Sequence, residues 1–212
     1  MTRPRVVLAD DHLMVIDGMS SLLRAEFDLV ATVENGRELI DAVQRFDPDV
    51  VVTDMQMPIL NGIEAVAQLT KLKARAKVIL LTMHPDASYA IRAFEAGAAG
   101  FVLKHAAYAE LATAIREVLK GRLYLTPMIA KDVLQGFMQK PTQPTGLSRL
   151  TSRQREILQL VAEGRSAKEI ASVLNVSPRT VEFHKACIMD RLNLRSHAEL
   201  VREAVRHGLI SP

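Results

Sequence analysis

Residues 50–58 read Val-Val-Val-Thr-Asp-Met-Gln-Met-Pro. Three consecutive valines with no polar alternation describe a strand covered on both faces. The run ends on Asp54, a residue type seldom buried without a partner, and Pro58 stops it. Four similar apolar runs flank it, at Val6–Ala9, Leu29–Val33, Val78–Leu81 and Phe101–Leu103. Helical periods separate them. Leu13, Ile16, Met19 and Leu23 make one stripe, Leu39, Val43 and Phe46 a second, and Ile63, Val66 and Ala67 a third. Ile91, Phe94 and Glu95 match a fourth poorly, and Leu111, Ile115, Val118 and Leu119 match a fifth well. Strands alternating with helices predict an α/β fold, a flavodoxin-like doubly wound five-stranded parallel sheet over residues 1–120.

The polar residues on this map fall in one place. Asp10 and Asp11 follow the first strand, Asp54 ends the third, Thr82 ends the fourth and Lys104 ends the fifth. Open α/β sheets place their ligand crevice at these carboxyl ends. Three carboxylates brought together repel unless a cation joins them. Oxygen-only ligands, without His or Cys, favour a hard ion such as Mg2+. A carboxylate nucleophile, a metal, a lysine and a hydroxyl donor together suit phosphoryl transfer to Asp54. Taken singly, a strand-end aspartate often only caps a helix, Thr82 is an ordinary strand threonine and Lys104 a solvated lysine. Five such residues at one sheet edge favour the site.

The strings VLADDH, VVVTDMQMPILNG, VILLT and GAAGFVLK resemble the receiver domain of two-component response regulators over residues 5–120. The resemblance implies phosphorylation of Asp54 by the phosphohistidine of a sensor histidine kinase. It assigns Mg2+ to Asp11, Asp54 and the backbone carbonyl of Gln56, with Asp10 acting through water. Thr82 and Lys104 would contact the phosphoryl group, and Phe101 takes the place of the aromatic switch residue that turns inward on activation. Met83 and His105 depart from the common pattern, which has a small residue and a proline there. Gln56 and His84 sit where relatives tune the attacking water.

The rest of the chain changes character. Residues 121–146 carry Gly121, Pro127, Gly136, Pro141, Pro144 and Gly146, which predicts a linker. Ile129, Val133 and Phe137 suggest one short amphipathic helix in it, before a flexible stretch near Lys140–Gly146. Residues 147–212 read as a small all-α four-helix domain. Thr151 or Ser152, Ser166, Ser177 and Ser196 start its helices, with Pro178 in the first turn of the third. Charge divides with the fold. Residues 1–120 hold 13 Lys+Arg against 16 Asp+Glu, a net −3, and residues 121–212 hold 14 against 8, a net +6. A basic module beside an acidic one points the second half at a polyanion.

The break at Asn175-Val176 between the second and third helices has helix-turn-helix proportions. At 100° per residue Val181, Ile188 and Leu192 face one side, and Arg179, Glu182, Phe183 and Ala186 the other. Lys185 flanks the apolar stripe. An outward phenylalanine beside arginine suits a major groove, where Phe183 meets thymine methyls, Arg179 guanine or phosphate, and Glu182 the cytosine amine. The plainer alternative is an Arg179–Glu182 ion pair on a solvated face. Lys168, His184, Lys185 and Arg195 are candidates for phosphate contact. Cys187 reads as a small apolar filler.

LTSRQREILQLVAEG, KEIA and TVEFH, the last with Thr180, resemble the LuxR-type helix-turn-helix domain, and the whole chain resembles a NarL/FixJ-type response regulator. Double-stranded DNA, a kinase donor and a homodimer in the phosphorylated state are the implied partners. One cysteine, no apolar run of membrane length and no N-terminal signal pattern predict a cytoplasmic protein with no membrane partner and no disulfide. Two rivals belong to other classes. A haloacid-dehalogenase-like phosphatase wants Asp-x-Asp, and Asp54-Met55-Gln56 lacks the second acid, so the chain reads as no enzyme. A DNA binder whose receiver serves only as a scaffold would ignore phosphorylation. A nucleotide-binding reading lacks its Gly-rich loop after the first strand.

Overall fold

The structure is a computed structural model and describes residues 3–138 and 146–210. Among the described residues the chain divides into two compact units, residues 3–57 with 61–138, and residues 146–210 with Pro58–Leu60.

The first unit alternates strand and helix: β1 (Arg5–Ala9), α1 (Leu13–Glu26), β2 (Asp28–Val33), α2 (Gly36–Phe46), β3 (Val50–Asp54), α3 (Gly62–Lys71), β4 (Lys77–Thr82), α4 (Ala87–Ala96), β5 (Gly100–Leu103) and α5 (Lys104–Leu119). The strand order is β2-β1-β3-β4-β5 followed by β6 (Tyr124–Leu125), with every pairing parallel. All five residues of β3 are buried, which accounts for its unbroken apolar run. On one face of the sheet Leu8, Val50, Val52, Ile79, Leu81 and Val102 pack against Ile16, Met19 and Leu23 of α1 and Leu111, Ile115 and Val118 of α5. Asn35, Asn61 and Asp86 cap α2, α3 and α4 through side-chain oxygens that accept backbone N–H groups.

Two sequence expectations need correction. Among the described residues the sheet has six strands, because β6 (Tyr124–Leu125) pairs with β5. A two-residue strand is too short to show alternation. The predicted linker helix forms as α6 (Pro127–Met138), with Ile129 and Val133 buried as expected, but it packs on α4 as part of the first unit. A Cβ built on Gly136 would lie 2.5 Å from Ile91 Cδ1, so glycine permits that approach. Most of the stretch read as flexible, at residues 139–145, lies outside the described residues.

The second unit opens with a 3-10 turn at Gly146–Arg149 and continues as α7 (Ser152–Ala162), α8 (Ala167–Leu174), α9 (Pro178–Leu192) and α10 (His197–Arg206). Thr151 with Gln154 and Ser166 with Glu169 form reciprocal capping boxes. Ser177 caps α9 with Pro178 in its first turn, and Ser196 caps α10. Asn175 and Asn193 end α8 and α9 in the left-handed region. Ile157, Leu158, Ile170, Leu174, Val181, Ile188, Leu200 and Leu209 form the core.

Candidate functional site

The carboxyl ends of β1, β3, β4 and β5 bring the acidic residues, the hydroxyl and the amine together. Asp54 is the last residue of β3 and Thr82 the last of β4, while Asp10 and Asp11 directly follow β1. Lys104 is the first residue of α5, one step beyond the strand end at which the sequence placed it. Its ammonium lies 2.7 Å from Asp10 Oδ2 and 3.1 Å from Asp54 Oδ1. The Met55 amide donates to the same Asp54 Oδ1 at 2.9 Å. Both contacts fall on Oδ1, which leaves Oδ2 as the open oxygen of Asp54. Thr82 is buried, and its hydroxyl oxygen accepts the His84 N–H at 3.0 Å, so its proton remains free to donate.

Burial and like charge act on this cluster. Burial, the largest cause, pushes the Asp54 carboxyl up to about 6, with Lys104 opposing the rise and Asp10 adding to it. For Lys104 burial acts downward, but the carboxylates of Asp54 and Asp10 outweigh it and raise the ammonium above its ordinary value.

The backbone must come close for this geometry. The Gly62 amide donates to the Met55 carbonyl at 2.9 Å, and a Cβ on Gly62 would sit 2.2 Å from the Asp54 carbonyl oxygen. Only glycine fits there, so the Asn-Gly pair that starts α3 also supports the loop after Asp54.

The donor set fits a hard dication. Asp10, Asp11, His12 and Asp54 each offer a ligand atom within 4.8 Å of the others. Asp10 is wholly buried, and its Oδ2 meets Lys104 as an ion pair without hydrogen-bond geometry, so it has lone pairs to spare. His12 is a member that sequence reasoning missed. Its Nδ1 lies 2.9 Å from Asp11 Oδ1 and 3.2 Å from Asp10 Oδ1, and the only signal was its place directly after the two acids. Gln56 is half-buried two residues beyond Asp54. Met83 stands 64% exposed, pointing into solvent.

Phe101 differs from expectation. It is wholly buried in β5, opposite Leu80 on one side and Leu125 on the other, so the expected inward turn has no outward starting position here.

In the second unit the rotation of α9 is mostly as read. Val181 and Ile188 are buried, and Arg179, Glu182, Phe183 and Ala186 are exposed. Phe183 is 65% exposed. Leu192 is only half-buried, because it is the last residue of α9. Lys168 and Arg195 are exposed, while Thr180, His184 and Lys185 are half-buried. The Thr180 hydroxyl pairs with that of Ser177 at 2.8 Å. Among the described residues His184 Nδ1 is buried with no hydrogen-bond partner, and its ring meets Phe183 edge-on at 5.7 Å. Among the described residues no ion pair joins Arg179 to Glu182, so both head groups of the plainer alternative stand apart.

Comparison with known proteins agrees with both halves. Residues 6–116 match the response regulator receiver domain family, and residues 148–204 match the bacterial regulatory proteins of the luxR family. The chain belongs to the LuxR-type response regulators. The oxygen regulatory protein NreC of Staphylococcus carnosus (strain TM300) is 35% identical over 97% of this chain and 99% of its own. Among solved structures, a LuxR-family response regulator from Aurantimonas sp. SI85-9A1 is 34% identical with a TM-score of 0.61, covering 65% of this chain and 100% of its own. The RcsB response regulator of Salmonella typhimurium is 26% identical with a TM-score of 0.65, covering 95% of this chain and 96% of its own. This response regulator is therefore a DNA-binding regulator of the two-component type. Among its described residues no helix is long and apolar enough to cross a membrane.

Proposed function

We propose that this response regulator accepts a phosphoryl group on Asp54 from a sensor histidine kinase, and that the modification controls dimerisation and DNA binding. The convergence of Asp54, Asp10, Lys104 and Thr82 at one sheet edge carries the reading. Asp54 Oδ2 attacks phosphorus, a P–O bond forms, the P–N bond to the kinase imidazole breaks, and the imidazole leaves with the electron pair. Lys104, already charged, moves from Asp54 Oδ1 to the incoming phosphoryl oxygens, and the Thr82 hydroxyl turns to donate to another. Asp11, Asp54 and the Gln56 carbonyl would hold Mg2+ directly, with Asp10 through water. When bound, that ion neutralises phosphoryl charge and lowers the carboxyl of Asp54 into its reactive ionised form. Asp54-Met55-Gln56 supplies no second acid for rapid hydrolysis, which makes the site a switch and not a turnover enzyme.

The phosphoryl group adds about −1.5 to −2 charge next to β4 and β5. Arg179, Glu182 and Phe183 read bases from α9, Thr180 and Ala186 line the same helix, and Lys168, His184, Lys185 and Arg195 meet phosphates. RcsB has been solved as dimers bound to DNA and as a DNA complex. A dimer of this chain would place two α9 helices on half-sites about one helical turn apart. Footprinting at fixed salt, with and without acetyl phosphate, tests the reading. The expected result is protection at lower protein concentration with the phosphodonor, and loss of that response in Asp54→Asn. An Asp54→Asn protein that still responds would overturn it.

A further inference from the structure

Strand β6 continues the sheet ladder for two rungs. The Tyr124 amide donates to the Ala99 carbonyl at 3.0 Å, and the Thr126 amide donates to the Phe101 carbonyl at 3.1 Å. The next rung falls at Leu103, the residue before Lys104. There a side chain replaces the backbone, since the Leu103 amide donates to Thr126 Oγ1 at 3.1 Å. The same hydroxyl donates to Glu110 Oε2 at 2.9 Å, and the Tyr124 hydroxyl donates to that oxygen at 3.2 Å. Burial and then the charge of Glu110 hold the Tyr124 phenol above its ordinary value, so it remains a donor. A threonine hydroxyl has one proton to give and lone pairs to accept, and both functions are used.

These bonds connect to the chemistry through a short lever. Leu103 closes the N-terminus of α5 in an extended conformation, φ −76° and ψ 132°, with no side-chain cap of its own. Its torsions set where the first residue of α5 directs its side chain, and that residue is Lys104. Thr126 is 2% exposed, so its hydroxyl has no water to fall back on. Any acceptor would satisfy a buried amide. This acceptor is also tied to Glu110 on α5 itself, so Leu103 cannot move without straining both bonds.

We propose that Thr126 is a positioning residue for phosphoryl acceptance: through Leu103 its hydroxyl sets the placement of the Lys104 ammonium between Asp10 and Asp54. The inference rests on Asp54 being the phosphoacceptor and adds a residue from outside the acidic site.

The test uses the full chain with Thr126→Val, which keeps the shape and removes the hydroxyl, and Thr126→Ser, which keeps the hydroxyl. Phosphoryl acceptance from acetyl phosphate is followed by intact-protein mass at saturating Mg2+, and Mg2+ affinity by calorimetry. In Thr126→Val the maximal rate should fall roughly three- to tenfold, the range for losing one buried hydrogen bond. Mg2+ affinity should not fall, because moving the ammonium away from Asp10 and Asp54 takes a positive charge away from the carboxylates that would hold the ion. Thr126→Ser should restore the rate. Glu110→Gln, which weakens the anchor, should show a smaller fall and carries the test if Thr126→Val does not fold. A wild-type rate in Thr126→Val, no recovery in Thr126→Ser, or a joint loss of rate and Mg2+ affinity overturns positioning. A wild-type protein that acquires no phosphoryl group on Asp54 overturns the phosphoacceptor reading itself.

Discussion

The Lys104 ammonium and the Asp54 carboxylate meet at 3.1 Å through Oδ1, the oxygen that already accepts the Met55 amide. The pair therefore fixes one oxygen and presents the other. Lys104 also lowers the Asp54 carboxyl against the pull of burial. Lys104→Ala removes both effects. It leaves the carboxyl above its present value of about 6, more protonated at neutral pH and a poorer nucleophile. It also removes a donor to the transferred group, a loss worth on the order of 100-fold in comparable electrostatic sites. Acceptance from acetyl phosphate should fall by about that factor, read as phosphoprotein formed per minute.

The Asp54 carboxyl also makes stability depend on pH. Its folded value, about 6, lies above the ordinary 3.8, so the folded protein holds that proton more tightly than the unfolded chain. Stability from this group is fully present below about pH 4 and is lost as pH rises to about 6, after which it stays flat. The two values differ by about 3 kcal/mol of proton-binding free energy. In chelator, urea unfolding of the wild type should lose roughly that much across this window relative to Asp54→Asn. Mg2+, which binds the ionised carboxylate, should reverse the loss at neutral pH. Parallel stability profiles for the two proteins would show that Asp54 is not the group responsible.

Sequence periodicity located β1 to β5 and the helices between them because buried parallel strands leave unbroken apolar runs. It failed where the signal is chemically faint. The buried face of α4 is Ala90 and Ala93, whose small side chains are weakly apolar, while Ile91 and Phe94 are only half-buried. β6 is two residues long, and its place depends on a long-range pairing with β5. The acidic site was legible because strand-end residues in a parallel sheet must share one edge. Gly62 and Thr126 were not, since each acts through a contact that only tertiary packing creates, and His12 went unread although it directly follows the two acids it meets. In the second unit the serine, threonine and proline start signals fixed all four helix starts, because capping is a local effect.

Gly62 offers a test of backbone support for the site. An alanine Cβ would lie 2.2 Å from the Asp54 carbonyl oxygen and 2.7 Å from Leu80 Cδ2. The leucine methyl can turn away, but the backbone oxygen cannot. Gly62→Ala should therefore cost about 1–3 kcal/mol in unfolding free energy, as overpacking does. It should also slow phosphoryl acceptance by moving Asp54, although no atom of residue 62 belongs to the acidic cluster. A stability loss with an unchanged acceptance rate would show that Asp54 is held by Met55 and Lys104 alone.

Phe183 and Lys168 separate the two kinds of DNA contact. Phe183 is 65% exposed on α9, so truncation should leave unfolding within about 0.5 kcal/mol of wild type, as for most surface changes. If its ring meets thymine methyls, Phe183→Ala should weaken binding to the specific site by about 1–3 kcal/mol and leave non-specific binding nearly unchanged. Lys168 lies at the start of α8, exposed, with a charge suited to phosphate. Lys168→Ala should weaken specific and non-specific binding alike and reduce the slope of log affinity against log salt by about 1. Fluorescence anisotropy on both DNAs across a salt series distinguishes the roles. Equal losses on specific and non-specific DNA for Phe183→Ala would move this ring from base contact to general surface, and the specificity of α9 would then rest on Arg179 and Glu182.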